Sequence, residues 1–307
     1  MTTLEPGDHP GATPAIDRAG ARLDALDAEP DGDRLSLRLL ASELWLIATR
    51  RRNLVGLGVL CAVPVTLALV LALSGAAERT GTGDAPPFVS MMFGNGLLVV
   101  TGAFSVECLV FLPLAASMLA ADSISAEAGT GTLRYLLTVP IGRTRLLFVK
   151  YAAAGIAAIV MVAAVALVGA GIGFAVFGTD ELVTLSGSKI EFGESLWRVG
   201  LICLYIMYML VTFLAVAMFA ATLTDQPAAC VVGCLLYVLV DQLLATTPDL
   251  AWLNPYLLTG YWRDWGDLLR EPMQTANVES GLIVASVYAA VFLSAAWARL
   301  TTRDIKS

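Results

Sequence analysis

Six stretches of the chain are apolar almost without interruption, and the polar residues crowd into the intervals between them. A helix needs about 20 apolar residues to cross roughly 30 Å of hydrocarbon. Residues 54–75, 96–120, 146–177, 197–222, 227–245 and 281–300 meet or approach that length. The runs are continuous and do not alternate with period two, so helices are expected and barrel strands are not. The third run is long enough to tilt or to project beyond the membrane. The pattern predicts an all-α integral membrane protein with six transmembrane helices.

Residues 35–53 follow a different pattern. Leu37, Leu40, Leu44 and Ile47 recur at helical spacing, with Leu39, Trp45 and Leu46 widening the stripe, while Ser36, Arg38, Ser42, Glu43 and Arg50 form a polar side. Such a helix lies in the membrane interface, its Trp at headgroup level and its arginines near anionic lipid. The alternative is a plain extension of the first span, but the cluster Arg50, Arg51, Arg52 interrupts the run before Leu54. Residues 1–34 are acidic, rich in Gly, Pro, Ala and Thr and poor in aromatics, too little to build a core. They read as a disordered tail, either a solvated leader or a partner-binding segment. A secretory signal would start basic and continue apolar, and this tail does neither.

Composition agrees with the pattern. The chain is 57% hydrophobic, 15% charged and has a mean hydropathy of +0.75, against roughly 25% charged residues in ordinary soluble domains. The net charge of -7 reflects the tail and implies no nucleic-acid partner. Cation placement predicts orientation. With the N-terminus inside, Arg50, Arg51, Arg52, Arg134, Arg143, Arg145, Lys150, Arg299, Arg303 and Lys306 are cytoplasmic, while Arg79, Lys189, Arg198, Arg263 and Arg270 are outside. That excess predicts cytoplasmic N- and C-termini.

Candidate chemistry is sparse. Cys61, Cys108, Cys203, Cys230 and Cys234 all fall in predicted spans, and the single histidine, His9, lies in the tail. That leaves no metal set and no His-dependent hydrolytic site, and the thiols read as small buried hydrophobes. Gly169, Gly171 and Gly173 resemble a dinucleotide fingerprint only superficially. No strand precedes them, and small residues in an apolar helix permit close helix approach. No G-x-x-x-x-G-K-[ST] run occurs, so the chain carries no P-loop. Two carboxylates lie inside spans: Glu107 near the middle of the second, and Asp241 near the outer end of the fifth. An ionised group there costs at least about 2.5 kcal/mol, so each faces a bundle interior or a wet cavity. Each is either a substrate contact or proton-responsive group, or a structural hydrogen-bonding partner. Pro64 and Pro113 are expected to kink their spans. The outer connection 246–280 gathers Trp252, Tyr256, Tyr261, Trp262 and Trp265, and predicts one or two short helices in an aromatic belt or a cap over an exit path.

The segment 121–145 is the most polar interval between spans. Asp122, Ser123 and Ser125 can cap a helix start, Gly129 and Gly131 permit a break, and Thr132–Thr138 offers a short amphipathic piece with Leu133, Leu136 and Leu137 together. Pro140 ends it, and Arg143, Arg145 and Lys150 lead back into the membrane. A short surface helix held between two spans can transmit a push from a soluble partner to both.

Ile124, Glu127, Gly131, Thr132, Leu133, Leu136, Leu137, Pro140, Arg143, Arg145 and Lys150 together resemble the I-x-x-E-x-x-x-G-T-L-x-x-L-L-x-x-P-x-x-R-x-R pattern of ABC-2-type permeases. The match is dense over about thirty residues, and the six-span layout with its amphipathic N-terminal helix extends it. Many relatives in that family place further charges where this chain has Ala128, Gly129 and Thr130. The resemblance implies that residues 121–145 form a coupling helix, that two permeases pair as copies or paralogues, and that separate ATPase subunits supply the energy. It implies Glu127 as the partner-facing carboxylate, with Arg134, Arg143 and Arg145 in support. ATP and Mg would then reside on the partner, and this chain would hold no cofactor and catalyse nothing. The implied activity is export of an apolar or amphipathic cargo such as a drug, antibiotic, lipid or peptide. Two readings of other classes stand beside it: a proton-coupled secondary transporter using Glu107 and Asp241, and a membrane scaffold or sensor that recruits a soluble partner.

Overall fold

The computed structural model describes residues 32–79, 95–125, 143–179, 181–183, 186 and 188–302. Its helices are α1 (Gly32–Thr49), α2 (Arg51–Arg79), α3 (Leu97–Glu107), α4 (Phe111–Ala120), α5 (Arg143–Phe177), α6 (Phe192–Leu223), α7 (Pro227–Thr246) and α8 (Ala276–Thr302). A π-helical turn, Ala121–Ser125, continues α4. Two short antiparallel strands, β1 (Leu182–Val183) and β2 (Lys189–Ile190), pair between α5 and α6. The 246–280 connection forms two 3-10 helices, Pro248–Tyr256 and Gly260–Leu269.

The protein is a membrane-embedded helical bundle. Among the described residues five helices are long and apolar enough to cross a membrane, and a sixth crossing exists if the bent pair α3–α4 is one span. The predicted runs fall on α2, α3–α4 and α5 through α8, but α5, α6 and α8 start three to five residues earlier than expected. Helix α6 is the hub: 61% of its most apolar stretch is buried, against 17–28% in the other four. Its inner surface, including Ile202, Met209, Phe213 and Ala217, packs within the main core. The remaining helices present Val59, Leu69, Val160, Leu236, Leu243 and Ile283 outward, the surface a hydrocarbon solvent accepts.

Where the sequence reads as one continuous second span, α3 and α4 meet at 62°. Pro113 explains the break. Its ring would collide with the carbonyl of Leu109, four residues back, and it has no N–H to offer that oxygen. The Leu109 carbonyl instead accepts a hydrogen bond from Gln242 Nε2 on α7, at 3.1 Å. Pro64 sits inside the unbroken α2.

The small-residue stripe on α5 has the predicted use at two of its three positions. A methyl group on Gly173 would lie 2.2 Å from the carbonyl oxygen of Gly96, and one on Gly169 would press on Pro64 and Val100 at 3.3 Å. Gly171 faces open space. Two glycines thus let α2, α3 and α5 approach at backbone distance. The aromatic residues of the 246–280 connection divide. Trp252 and Tyr256 are exposed as a belt requires, whereas Trp262 and Trp265 are buried in the core.

Candidate functional site

The described polar chemistry lies in two places, one at the root of the loop after α4 and one at the break between α3 and α4. At the first, Asp122 is buried in the π-helical turn and does not cap a helix. Arg52 Nη2 contacts its Oδ1, Arg50 Nη1 lies 3.5 Å from its Oδ2, and the same Arg50 atom donates to its backbone carbonyl at 3.2 Å. Ser125 Oγ donates to the Ala221 carbonyl at the end of α6, at 3.0 Å. Ser123 is buried, and its hydroxyl has no hydrogen-bond partner among the described residues. The predicted cap is therefore a clasp: an anion in a tight turn holds two cations from the elbow between α1 and α2.

The other root of the loop is fastened as well. Lys150 on α5 is only 2% exposed, and its Nζ donates to Glu43 Oε1 on α1 at 2.8 Å. Thr144 Oγ1 accepts from Trp297 Nε1 on α8, also at 2.8 Å. Glu43 and Arg50, expected on the solvated side of α1, both point inward. The outward face of α1 carries Leu37, Leu46 and Trp45, the last 73% exposed, together with Arg38, Ser42 and Thr49. A Trp so exposed on a helix held against α5 suits a headgroup layer.

At the second place, Glu107 is fully buried at the last position of α3, and among the described residues neither carboxylate oxygen has a hydrogen-bond partner. Asp241 is buried too, but its Oδ2 accepts from the Thr259 backbone N–H at 2.7 Å. Thr259 begins the 3-10 helix Gly260–Leu269, so Asp241 fixes the second half of the 246–280 connection to α7. This favours the structural role for Asp241. Beside the break, a cleft of about 80 Å³ opens between α3, α7 and that 3-10 helix, with Ser105, Gln242, Thr259, Trp262 and Arg263 among its walls.

Arg198, read only as an outer cation, is the strongest anchor at this end. It is buried, its Nη2 lies 2.5 Å from both Glu194 Oε1 and Glu271 Oε2, and its Nη1 donates to the Arg270 carbonyl at 2.8 Å. The i,i+4 spacing from Glu194 marks half of it in the sequence, but Glu271 lies 73 residues away. In the same connection, burial pushes the Asp264 carboxyl up to about 6. The Asp267 charge adds to this and Arg263 opposes it.

Of the residues predicted to meet a partner, Ile124 is buried in the π-helical turn, Arg143 opens α5 and Arg145 lies half-buried on it. Glu127, Gly131, Thr132, Leu133, Arg134 and Pro140 lie outside the described residues. The structure does not bring Glu107 and Asp241 into contact through any hydrogen bond, and the five cysteines are free thiols, four within helices and Cys108 at the α3–α4 break.

Compared with curated proteins, the chain has no match. A family model described as a protein of unknown function, DUF2705, matches residues 65–306, from the middle of α2 through α8. With that much of its length inside one family, the chain is a member of DUF2705.

Proposed function

We propose that this protein is the membrane subunit of an ABC-type exporter, with the loop 126–142 as the surface on which a separate ATPase subunit acts. The family description assigns no activity, so the reading rests on the resemblance of residues 124–150 to ABC-2-type permeases and on one structural observation. Both roots of the loop are fastened to the bundle. The first is held by Arg50, Arg52 and Ala221, and the second by Glu43 and Trp297. Force applied to the loop is therefore delivered to α1, α2, α4, α5, α6 and α8 together rather than dissipated in a slack connection. A transporter driven by a soluble motor requires that linkage, and an isolated sensor does not.

In this reading the loop and both termini are cytoplasmic in a bacterial plasma membrane. Two permease chains pair, ATP and Mg bind the partner, and this chain supplies the pathway for an apolar or amphipathic cargo. Glu127 is the residue that meets the partner. Affinity purification of the tagged protein in mild detergent, followed by mass spectrometry, tests the assignment. The expected result is a stoichiometric P-loop protein, retained by the wild type and lost on Glu127→Lys with the permease still inserted.

A second reading has its own observation. Glu107 is buried with both oxygens unpartnered, the state of a group that could carry a proton in a gradient-driven transporter. A partner-free oligomer whose flux follows a proton gradient and stops on Glu107→Gln would put that reading first.

A further inference from the structure

The cleft beside the α3–α4 break has unmet hydrogen-bonding capacity. The Trp262 indole N–H belongs to a residue only 5% exposed and has no hydrogen-bond partner among the described residues, while the Thr259 hydroxyl, on a residue 4% exposed, sits by the Asp241 carboxylate that its own backbone N–H engages. Both residues line the cleft. Buried polar groups are nearly always paired, and each one left alone is costly. An indole nitrogen can only donate, so what it lacks is an acceptor. The charged residue among the walls is Arg263, which also only donates. Glu107 and Asp241, next in sequence to Cys108 and Gln242, do not line the cleft, and Asp241 is engaged by the Thr259 N–H.

Size and setting narrow the ligand further. About 80 Å³ admits a headgroup-sized moiety but not a whole drug-sized molecule, whose pockets run to roughly 300–1,000 Å³. The remainder must lie outside, and the neighbouring surface is apolar: Val106, Leu109 and Leu243 are all exposed on the lipid-facing side.

We infer that this cleft binds the headgroup of an anionic amphiphile, a carboxylate or phosphate whose oxygens accept from Trp262 and Arg263 while its tail lies along Val106, Leu109 and Leu243. The site exists because Pro113 breaks the span: a continuous helix through residues 108–110 would leave no gap there. Calling the ligand cargo rests on the proposed function, but binding itself does not.

The test uses full-length protein, immobilised in dodecyl maltoside without partner or nucleotide, and tritiated oleate. One saturable oleate site per chain is expected, with oleyl alcohol competing at least ten-fold more weakly. Trp262→Phe keeps an aromatic side chain and removes the donor, and Arg263→Gln removes the charge. Each should weaken oleate binding about ten-fold, as loss of a hydrogen bond to a charged group does. Arg263 is exposed and lines the cleft, so Arg263→Gln carries the test should Trp262→Phe fail to fold. Competition by phosphatidylglycerol identifies the source. Displacement of oleate means a membrane phospholipid headgroup occupies the site, and no displacement means a single-tailed amphiphile does. Equal competition by oleate and oleyl alcohol, or wild-type binding by the folded variants, overturns the inference. Failure to find an ATPase partner would leave this result standing, and loss of binding would leave the partner assignment standing.

Discussion

The Glu43–Lys150 pair should decide whether α1 stays on the bundle. Its geometry is good, at 2.8 Å, and both side chains are removed from water, Lys150 at 2% exposure and Glu43 at 15%. Removing one partner of a buried pair typically costs about 3–5 kcal/mol, because the other charge is left where it cannot hydrate. Glu43 is the shallower of the two, so Lys150→Met, which strands the carboxylate, belongs near the lower figure. About 3 kcal/mol is roughly a hundredfold in the docking equilibrium of α1. Glu43→Leu removes the carboxylate that the buried Lys150 Nζ reaches and should loosen α1 as well. The double variant removes both charges and substitutes apolar volume on a face already carrying Leu40, Leu44 and Ile47. Such replacements are often neutral or stabilising, so the double variant should recover much of the loss. Hydrogen–deuterium exchange of residues 37–49 reads this directly, because those amides exchange when the helix lifts and reopens. The expected order of exchange is wild type and double variant slowest, with both single variants faster. Exchange in Lys150→Met within a few-fold of wild type, or a double variant faster than both singles, would refute the claim that this pair holds the helix.

Three further outcomes follow from the same geometry. Pro113→Ala restores an N–H to Leu109's carbonyl and removes the clash, so the 62° bend should relax; spin-label distances between positions 105 and 117 should lengthen toward those of a straight helix. Asp241→Ala leaves the buried Thr259 N–H without its acceptor, at a cost of about 1–3 kcal/mol, whereas Asp241→Asn keeps an acceptor oxygen. Amide exchange across residues 259–269 should therefore rise far more in the alanine variant. Asp264 titrates near 6 when folded, against an ordinary value of 3.8, so the folded protein holds that proton more tightly than the unfolded chain. Its contribution to stability is fully present below about pH 4 and is lost as pH rises through 6. Thermal unfolding should show that decline in the wild type, and Asp264→Asn should flatten it.

The spans were legible because their signal is local and redundant. A run such as residues 146–177 stays apolar whichever way its helix is rotated, so errors are confined to the ends, where α5, α6 and α8 extend into mixed sequence. The use of Gly169 and Gly173 was legible for a related reason: small residues spaced by one helical turn have few purposes in an apolar helix. The polar contacts were not. Glu43 and Arg50 look solvated on a helical wheel, yet their partners lie 107 and 72 residues away. No periodicity within α1 encodes that. Asp122 shows the same limit, since a carboxylate before a Gly-rich stretch suggests a cap until the Arg50–Arg52 elbow is brought against it. The break in the second span was half legible. Pro113 announces a kink, but only the structure shows that the displaced carbonyl finds Gln242 and that a cleft opens beside it.

The loop root and the cleft are the two ends of one lever, α4 with its π-helical turn. At its far end Asp122 and Ser125 are tied to the α1–α2 elbow and to α6, and at its near end the chain breaks at residues 108–110 beside the cleft. The half-helix across the break is immobilised differently: α3 meets α5 through Gly96 and Gly173, so close that neither backbone has room to slide past a side chain. A rigid body joined to a fixed one by three non-helical residues can only rotate about them. Under the proposed function, a push on the loop would turn α4 about residues 108–110 and reshape the cleft wall that Leu109 provides, while α3 stays in place. Gly173→Ala and Pro113→Ala should then separate the two requirements. The first disturbs the fixed half and should destabilise the bundle, because a methyl group 2.2 Å from the Gly96 carbonyl forces the helices apart. The second removes the hinge from a bundle that still folds. Transport lost in Pro113→Ala with partner binding intact would place the coupling in the hinge; full transport with a straightened span would show that α4 does not need to turn.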